Sequence, residues 1–136
     1  MSDHSLPIRE AVIQVLRADP TIIGLAGARV YETVPDNVAA SMPYIRYGAP
    51  IIQPFEATAI TGVALQVTIH VFDEAPDTDR TLRLMEAVRA ALQEQPLTIS
   101  VGADHYWTTW TGSGLLEDGS GKHNRHGIVS FNITTG

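Results

Sequence analysis

The sequence predicts an α+β fold: a mostly antiparallel β-sheet with two main α-helices packed on one face and long hairpin loops. Three observations lead there. Residues 63–72 alternate along a single strand period, two segments repeat apolar residues at helical spacing, and only one helix separates the strand candidates in mid-chain. The 136 residues fit one domain, 1–136, long enough for a hydrophobic core.

Taken in order, "LPIREAVIQVLRA" places Ile8, Ala11, Val12, Val15 and Leu16 on one helical stripe, with Ser5 as N-cap and Pro7 in the first turn. Asp19-Pro20 ends that helix, because the residue before proline is pushed out of α geometry. "TIIGLAG" reads as a short helical turn closed by Gly27. "RVYET" and "YIRYG" are short strands on either side of a Pro- and Asn-containing connection.

The stretch from Ala49 to Gly62 holds two prolines and no clean period, so the expectation is a strand end followed by a long hairpin loop. Val63, Leu65, Val67, Ile69 and Val71 then alternate with Ala64, Gln66, Thr68, His70 and Phe72, which is a half-buried antiparallel strand. At ~3.3 Å per residue it extends roughly 30 Å or more. "APDTDR" breaks the strand and starts a helix, with Asp77 or Thr78 as cap. Leu84, Met85, Val88, Ala91 and Leu92 form its buried stripe, and Pro96 ends it. "LTISV", "HYWTTWT" and "HGIVSFNIT" are the remaining strand candidates. The Gly/Ser/Asp content of "GSGLLEDGSGKHNR" reads as a loop, Gly112 to Asn124. The expected order is α–β–β–β–α–β–β–β.

Composition narrows the function. Apolar residues make up 44% and charged residues 18%, so the chain has neither a disordered nor a membrane composition, and no apolar run approaches the ~18 residues of a membrane helix. The opening "MSDHSLPIRE" lacks the basic start and apolar core of a signal peptide, so the protein is expected to stay where it is made. With no cysteine there are no thiolate nucleophiles or thiolate metal sites. A net charge of −6, with one lysine, repels phosphates and argues against tight nucleic-acid binding. Arg80, Arg83 and Arg89 lie among acids and read as a solvated helix face.

Chemistry is sparse. His123 and His126 could join His105 as zinc ligands, but zinc needs three or four converging donors, and solvent-exposed polar residues are the better account. His70 reads as a surface or subunit contact. Asp73, Glu74, Asp77 and Asp79 match no calcium loop, and helix-capping acids explain them better. The Gly-Ser-Gly pieces lack the strand–elbow–helix setting of a hydrolase serine. Tyr106, Trp107 and Trp110 could stack bases, yet no basic groove surrounds them, which favours core or subunit packing. The expectation is no enzyme: no catalytic residue, no cofactor and no metal.

The order of short motifs carries a resemblance. Gly27, Arg29, Val30 and Tyr31 fit "G-x-R-[VI]-Y", and Pro43, Tyr44 and Ile45 fit "P-Y-[IV]". His70, Val71 and Phe72 end the long strand as "H-V-[WF]". Met85 to Leu92 stand for "L-x-x-A-V-R-x-A-L", departing where Met85-Glu86-Ala87 leads into Val88. Arg125, His126, Gly127, Ile128 and Phe131 fit "R-H-G-[IV]-x-x-F". Over nearly the whole chain this layout resembles the tail-completion, or tail-terminator, family of long-tailed bacteriophages and gene transfer agents.

That resemblance implies a structural virion protein in the tail, at its head-proximal end, found in the host cytoplasm during assembly. It implies a ring, often hexameric, that caps the tail tube, stops its polymerisation and joins the head. The implied partners are further copies of the chain, the major tail tube protein and a head-completion or connector protein. DNA would pass through the lumen without specific binding, and no membrane is involved. The candidate interface residues are Gln53, Phe55, Glu56, Ser113, Leu115, Leu116, Glu117, Asp118, Lys122, His123 and Arg125, since long strands and hairpin loops could reach a neighbour. Two alternatives stand beside it: a connector or minor tail component of similar fold, and a small metal-binding enzyme using His105, His123 and His126.

Overall fold

The computed structural model describes residues 4–35, 42–57, 60–99, 105–116 and 124–136, without the side chains of 55–57, 60–61 and 106. The elements run α1 (Ser5–Ala18), α2 (Pro20–Ala26), β1 (Val30–Tyr31), β2 (Tyr44–Tyr47), β3 (Ile51–Ala57), β4 (Ile60–Glu74), α3 (Asp79–Leu92), β5 (His105–Leu116) and β6 (Asn124–Thr135). One six-stranded sheet has the order β1-β2-β4-β6-β5, and β3 pairs with the first half of β4 beside β2. Among the described residues only β1 and β2 pair in parallel, and the other ladders are antiparallel. The α+β class read from the sequence is the class observed.

β4 organises the molecule. Its odd-numbered residues Val63, Leu65, Val67, Ile69 and Val71 are all buried, and they meet Ile133, Phe131 and Val129 of β6 in register. Ile8, Val12 and Leu16 of α1, Ile22 of α2, and Leu84, Val88 and Leu92 of α3 complete this one core. Each fully buried Leu, Ile or Phe contributes about 1.5–3 kcal/mol. Gly127 lies opposite Val71 on the helix side, and a side chain there would collide with Met85 Sδ. The glycine of "RHG" is thus the space into which α3 docks.

The helix ends follow the expected chemistry with shifts. Asp19 closes α1 and caps α2, its carboxylate accepting from the Thr21 and Ile22 amides at 3.0 Å each. Ser5 is the first helical residue of α1 rather than its cap; His4 takes that position. Thr78 is the N-cap of α3 without a side-chain bond, and Asp77 instead accepts from the Asp79 amide at 3.1 Å.

Several elements differ from expectation. The piece expected to be a loop from Ala49 is largely strand, because β3 pairs residue by residue with β4 from Ile51↔Gln66 to Ala57↔Ile60. Pro54 fits there because β3 is an edge strand, where a missing N–H breaks no ladder bond. The long strand runs further at both ends than its alternation, to Ile60 and Glu74. Glycine did not stop β5 either: it continues through Gly112 and Gly114 to Leu116, with a register shift between Trp110 and Gly112. "RVYET" forms a strand only over Val30–Tyr31. Residues 97–99 of "LTISV" are not strand, and its remainder lies outside the described residues.

Asp73 is no capping acid. Its side chain is fully buried at the end of β4, held by Arg80 Nε at 2.7 Å and Arg80 Nη2 at 2.5 Å. Arg80, its side chain still 42% exposed, thus clamps α3 to β4, its own pKa raised by the hydrogen bonds to Asp73. Arg89 is also engaged, bonded to Glu86 and Gln93 and lying 5.3 Å from the Trp110 ring centroid.

Candidate assembly surface

The alternation that buries one side of β4 turns Ala64, Gln66, Thr68, His70 and Phe72 to the opposite face. There they lie across from Thr134, Asn132, Ser130, Ile128 and His126 of β6. Gln66 is exposed and Thr68, His70 and Phe72 are half-buried. Toward β2 this face is aromatic. Tyr44, Phe72 and His126 stand in register on three neighbouring strands, with centroids 5.0 Å apart for Tyr44–Phe72 and 4.2 Å for Phe72–His126. Tyr31 of β1 extends the row, 6.1 Å from Tyr44.

Beside the row, His70 Nδ1 and His126 Nε2 are 2.9 Å apart, so one ring donates to the other. His70 pairs in register with Arg46. Burial above all, then the charges of Arg46 and His126, push the His70 pKa down to about 4. A neutral imidazole at pH 7 suits a face that excludes water by ring stacking. Farther along β4 the face turns polar, with the Thr68 and Ser130 hydroxyls 3.4 Å apart and Gln66 and Asn132 nearby lining the same shallow hollow.

The second surface is the β3–β4 hairpin. β3 presents Ile51 at 58% and Ile52 at 38% exposure, large values for isoleucine in a strand, and Gln53 is exposed beside them. Phe55 and Glu56 continue the same ladder in backbone. Gly62 pairs with Phe55 toward the turn of this hairpin, where a Cβ would run into the Thr135 carbonyl; only glycine lets β4 pass that close to the end of β6.

The third is the end of β5. Leu115 and Leu116 are 41% and 45% exposed, and Ser113 accepts from Trp110 Nε1 at 2.9 Å. Leu116 stands opposite His126 and so continues the aromatic row to the last strand. Arg125 is tied within the subunit, donating to the Ala75 and Pro76 carbonyls at 3.1 and 2.8 Å. Glu117, Asp118, Lys122 and His123 lie outside the described residues.

The structure thus brings Leu116 to the aromatic row and keeps Gln53, Phe55 and Glu56 on a separate arm. Sequence reasoning missed Tyr31, Tyr44 and Arg46. Their signal was present: "YIRY" alternates as β4 does, so its outward residues had to meet those of His70 and Phe72.

The histidine triad of the metal alternative does not assemble. His105 pairs with Thr135 and His126 with Leu116, nine positions apart along β6 and so about 30 Å away. His105 instead bonds Thr108 Oγ1 at 2.8 Å and accepts from the Leu97 amide at 3.3 Å, with burial lowering its pKa. Among the described residues no three His, Asp or Glu side chains gather as metal ligands, and no helix is long and apolar enough to cross a membrane.

A profile of the family described as tail completion protein gp17 matches residues 10–136. The chain belongs to that family. It is accordingly a structural protein of the phage tail, located in the virion. The tail completion fold is also found in a chain from the structure titled "Virion of native gene transfer agent (GTA) particle", at 23% identity over 95% of each chain, with a TM-score of 0.82. No curated protein matches the sequence.

Proposed function

We propose that this tail completion protein forms a ring of six subunits on the head-proximal end of the tail tube. There it ends tube polymerisation and offers the surface to which the head is joined. Family membership over residues 10–136 is the observation that carries this reading. The described surfaces support it, because a closed ring needs two unlike patches on each subunit. The aromatic row ending in Leu116 is one such patch, and the β3 arm with Ile51, Ile52, Gln53, Phe55 and Glu56 is the other. We assign Ser113, Leu115 and Arg125, with Glu117, Asp118, Lys122 and His123 of the intervening sequence, to contacts with the tube or the head. The major tail tube protein and a head-completion protein are the partners. A subunit charge of −6 favours a lumen through which DNA slides without binding.

The mechanism is stoichiometric: the ring covers the growing tube end and no bond is made or broken. Particles assembled without the protein are expected to carry tails of uncontrolled length and no heads, as read by electron microscopy. Tails of normal length joined to heads in its absence would refute termination and joining together.

A further inference from the structure

Six of the nine large hydrophobic side chains left exposed among the described residues lie on two strands. Trp107, Trp110, Leu115 and Leu116 belong to β5, and Ile51 and Ile52 to β3. These strands are opposite edges of one sheet. β5 ends the path β1-β2-β4-β6-β5, and β3 lines β4 on the side away from β6.

Both edges offer backbone groups. Along β5 the Thr108 carbonyl accepts from the Glu94 amide at 2.9 Å, which covers the edge at that point. From Thr109 to Leu116 the strand pairs with β6 alone among the described residues. In β3 the N–H that Pro54 lacks is one turned away from β4, and by the alternation of an antiparallel ladder Ile52 turns its amide the same way. An open edge is a template for another strand, and sheets commonly guard theirs with charges or proline. Residues 105–116 contain no Asp, Glu, Lys, Arg or Pro, and β3 is uncharged from Ile51 to Phe55. Between Thr109 and Leu116 the one guarding device is the register shift from Trp110 to Gly112.

We propose that β3 of one copy of the chain adds to the open edge of β5 in the next, Thr109 to Leu116, so that neighbouring sheets join by backbone hydrogen bonds. Charge argues for a second copy as the occupant. Copies carrying −6 each repel where acidic surfaces meet, and these two edges touch without bringing charge against charge. Length agrees, since the seven residues of β3 are no longer than the open stretch of β5. The two edges are unlike, so their pairing runs head to tail, as a closed ring requires, and closure leaves neither edge open. This pairing rests on the ring reading above and names the bonds that hold the ring. Strand addition uses backbone, which leaves the Ser113 and Leu115 side chains for the tube or the head. Pro54 offers a carbonyl and no donor, so the contact leans on the Ile52 amide.

Amide hydrogen exchange of the wild-type chain, compared between dilute subunits and assembled rings, tests the pairing. Amides between Thr109 and Leu116 that exchange readily in the subunit, together with that of Ile52, are expected to slow about tenfold or more on assembly. Rings whose amides exchange there as in the subunit overturn strand addition and leave the ring standing. Protection of the β5 amides only after tail tubes are added overturns the second copy as occupant. A chain that never self-associates overturns ring and pairing together. Two variants then separate backbone from side chain. Ile52→Ala keeps the amide, whereas Ile52→Pro removes it without taking a bond from the ladder to β4. The proline variant should need about three- to tenfold more protein than the alanine variant for half-assembly, the loss of one hydrogen bond. Equal concentrations for the two overturn the Ile52 bond.

Discussion

Asp73 shows how a single buried charge joins two elements. Its carboxylate accepts from both ends of the Arg80 guanidinium and from the Glu74 amide at 2.7 Å, with no exposure of its own. Asp73→Ala is expected to cost about 1.5–3 kcal/mol, the range for hydrogen bonds to a charged group, measured by urea unfolding. His70 makes a prediction about pH. Its folded pKa, about 4, lies below the ordinary 6.5, so the unfolded chain takes up the proton first. Stability contributed by neutral His70 is full above pH 6.5 and is lost as pH falls toward 4. The site is half-buried, so after discounting for solvent screening the loss is on the order of 1 kcal/mol between pH 7 and 5. Unfolding curves at those two pH values should show a smaller difference for His70→Gln than for wild type; equal differences would exclude His70 as the titrating group.

At the scale of elements, the β3–β4 hairpin depends on close backbone approach. Gly62→Ala would drive a Cβ into the Thr135 carbonyl, and backbone must move to admit it. A cost of about 1–3 kcal/mol is expected, seen as a lower urea midpoint at unchanged slope. In the shared core, Phe131→Ala removes the largest fully buried side chain and should cost about 3–5 kcal/mol by the same measurement. These elements were unequally legible. β4 was plain because every second residue is apolar, and α1 and α3 because their stripes hold the helical period. β3 was obscured by Pro50 and Pro54, whose effect depends on whether the strand lies at an edge, a fact of the sheet and not of the segment. β5 was cut short by reading Gly112 and Gly114 as loop residues, although both pair with β6, Gly112 just past a register shift and with a positive φ of 153°. Asp73 and Arg80 looked solvated because nothing local says that β4 ends beneath α3.

For the whole molecule, the fold leaves one sheet face without a helix among the described residues and places on it a row of rings from four strands. The candidate interface drawn from the sequence reached the row of rings only at its end, Leu116, because that choice followed loops; the centre of the row required knowing which strands are neighbours. Introducing a charge on the face is the corresponding prediction. Phe72→Asp, half-buried in the subunit, should weaken self-association by tenfold or more, since a carboxylate would have to be desolvated against the stacked rings. Wild-type association by this variant would move the interface elsewhere.

The most direct measurement of the central claim is the mass and shape of the purified protein alone and beside tail tubes, by mass photometry with negative-stain microscopy. Closed rings of uniform subunit number, seated on tube ends that then accept no further tube protein, are the predicted result. Particles that remain single subunits, on tubes that go on growing in their presence, would contradict it.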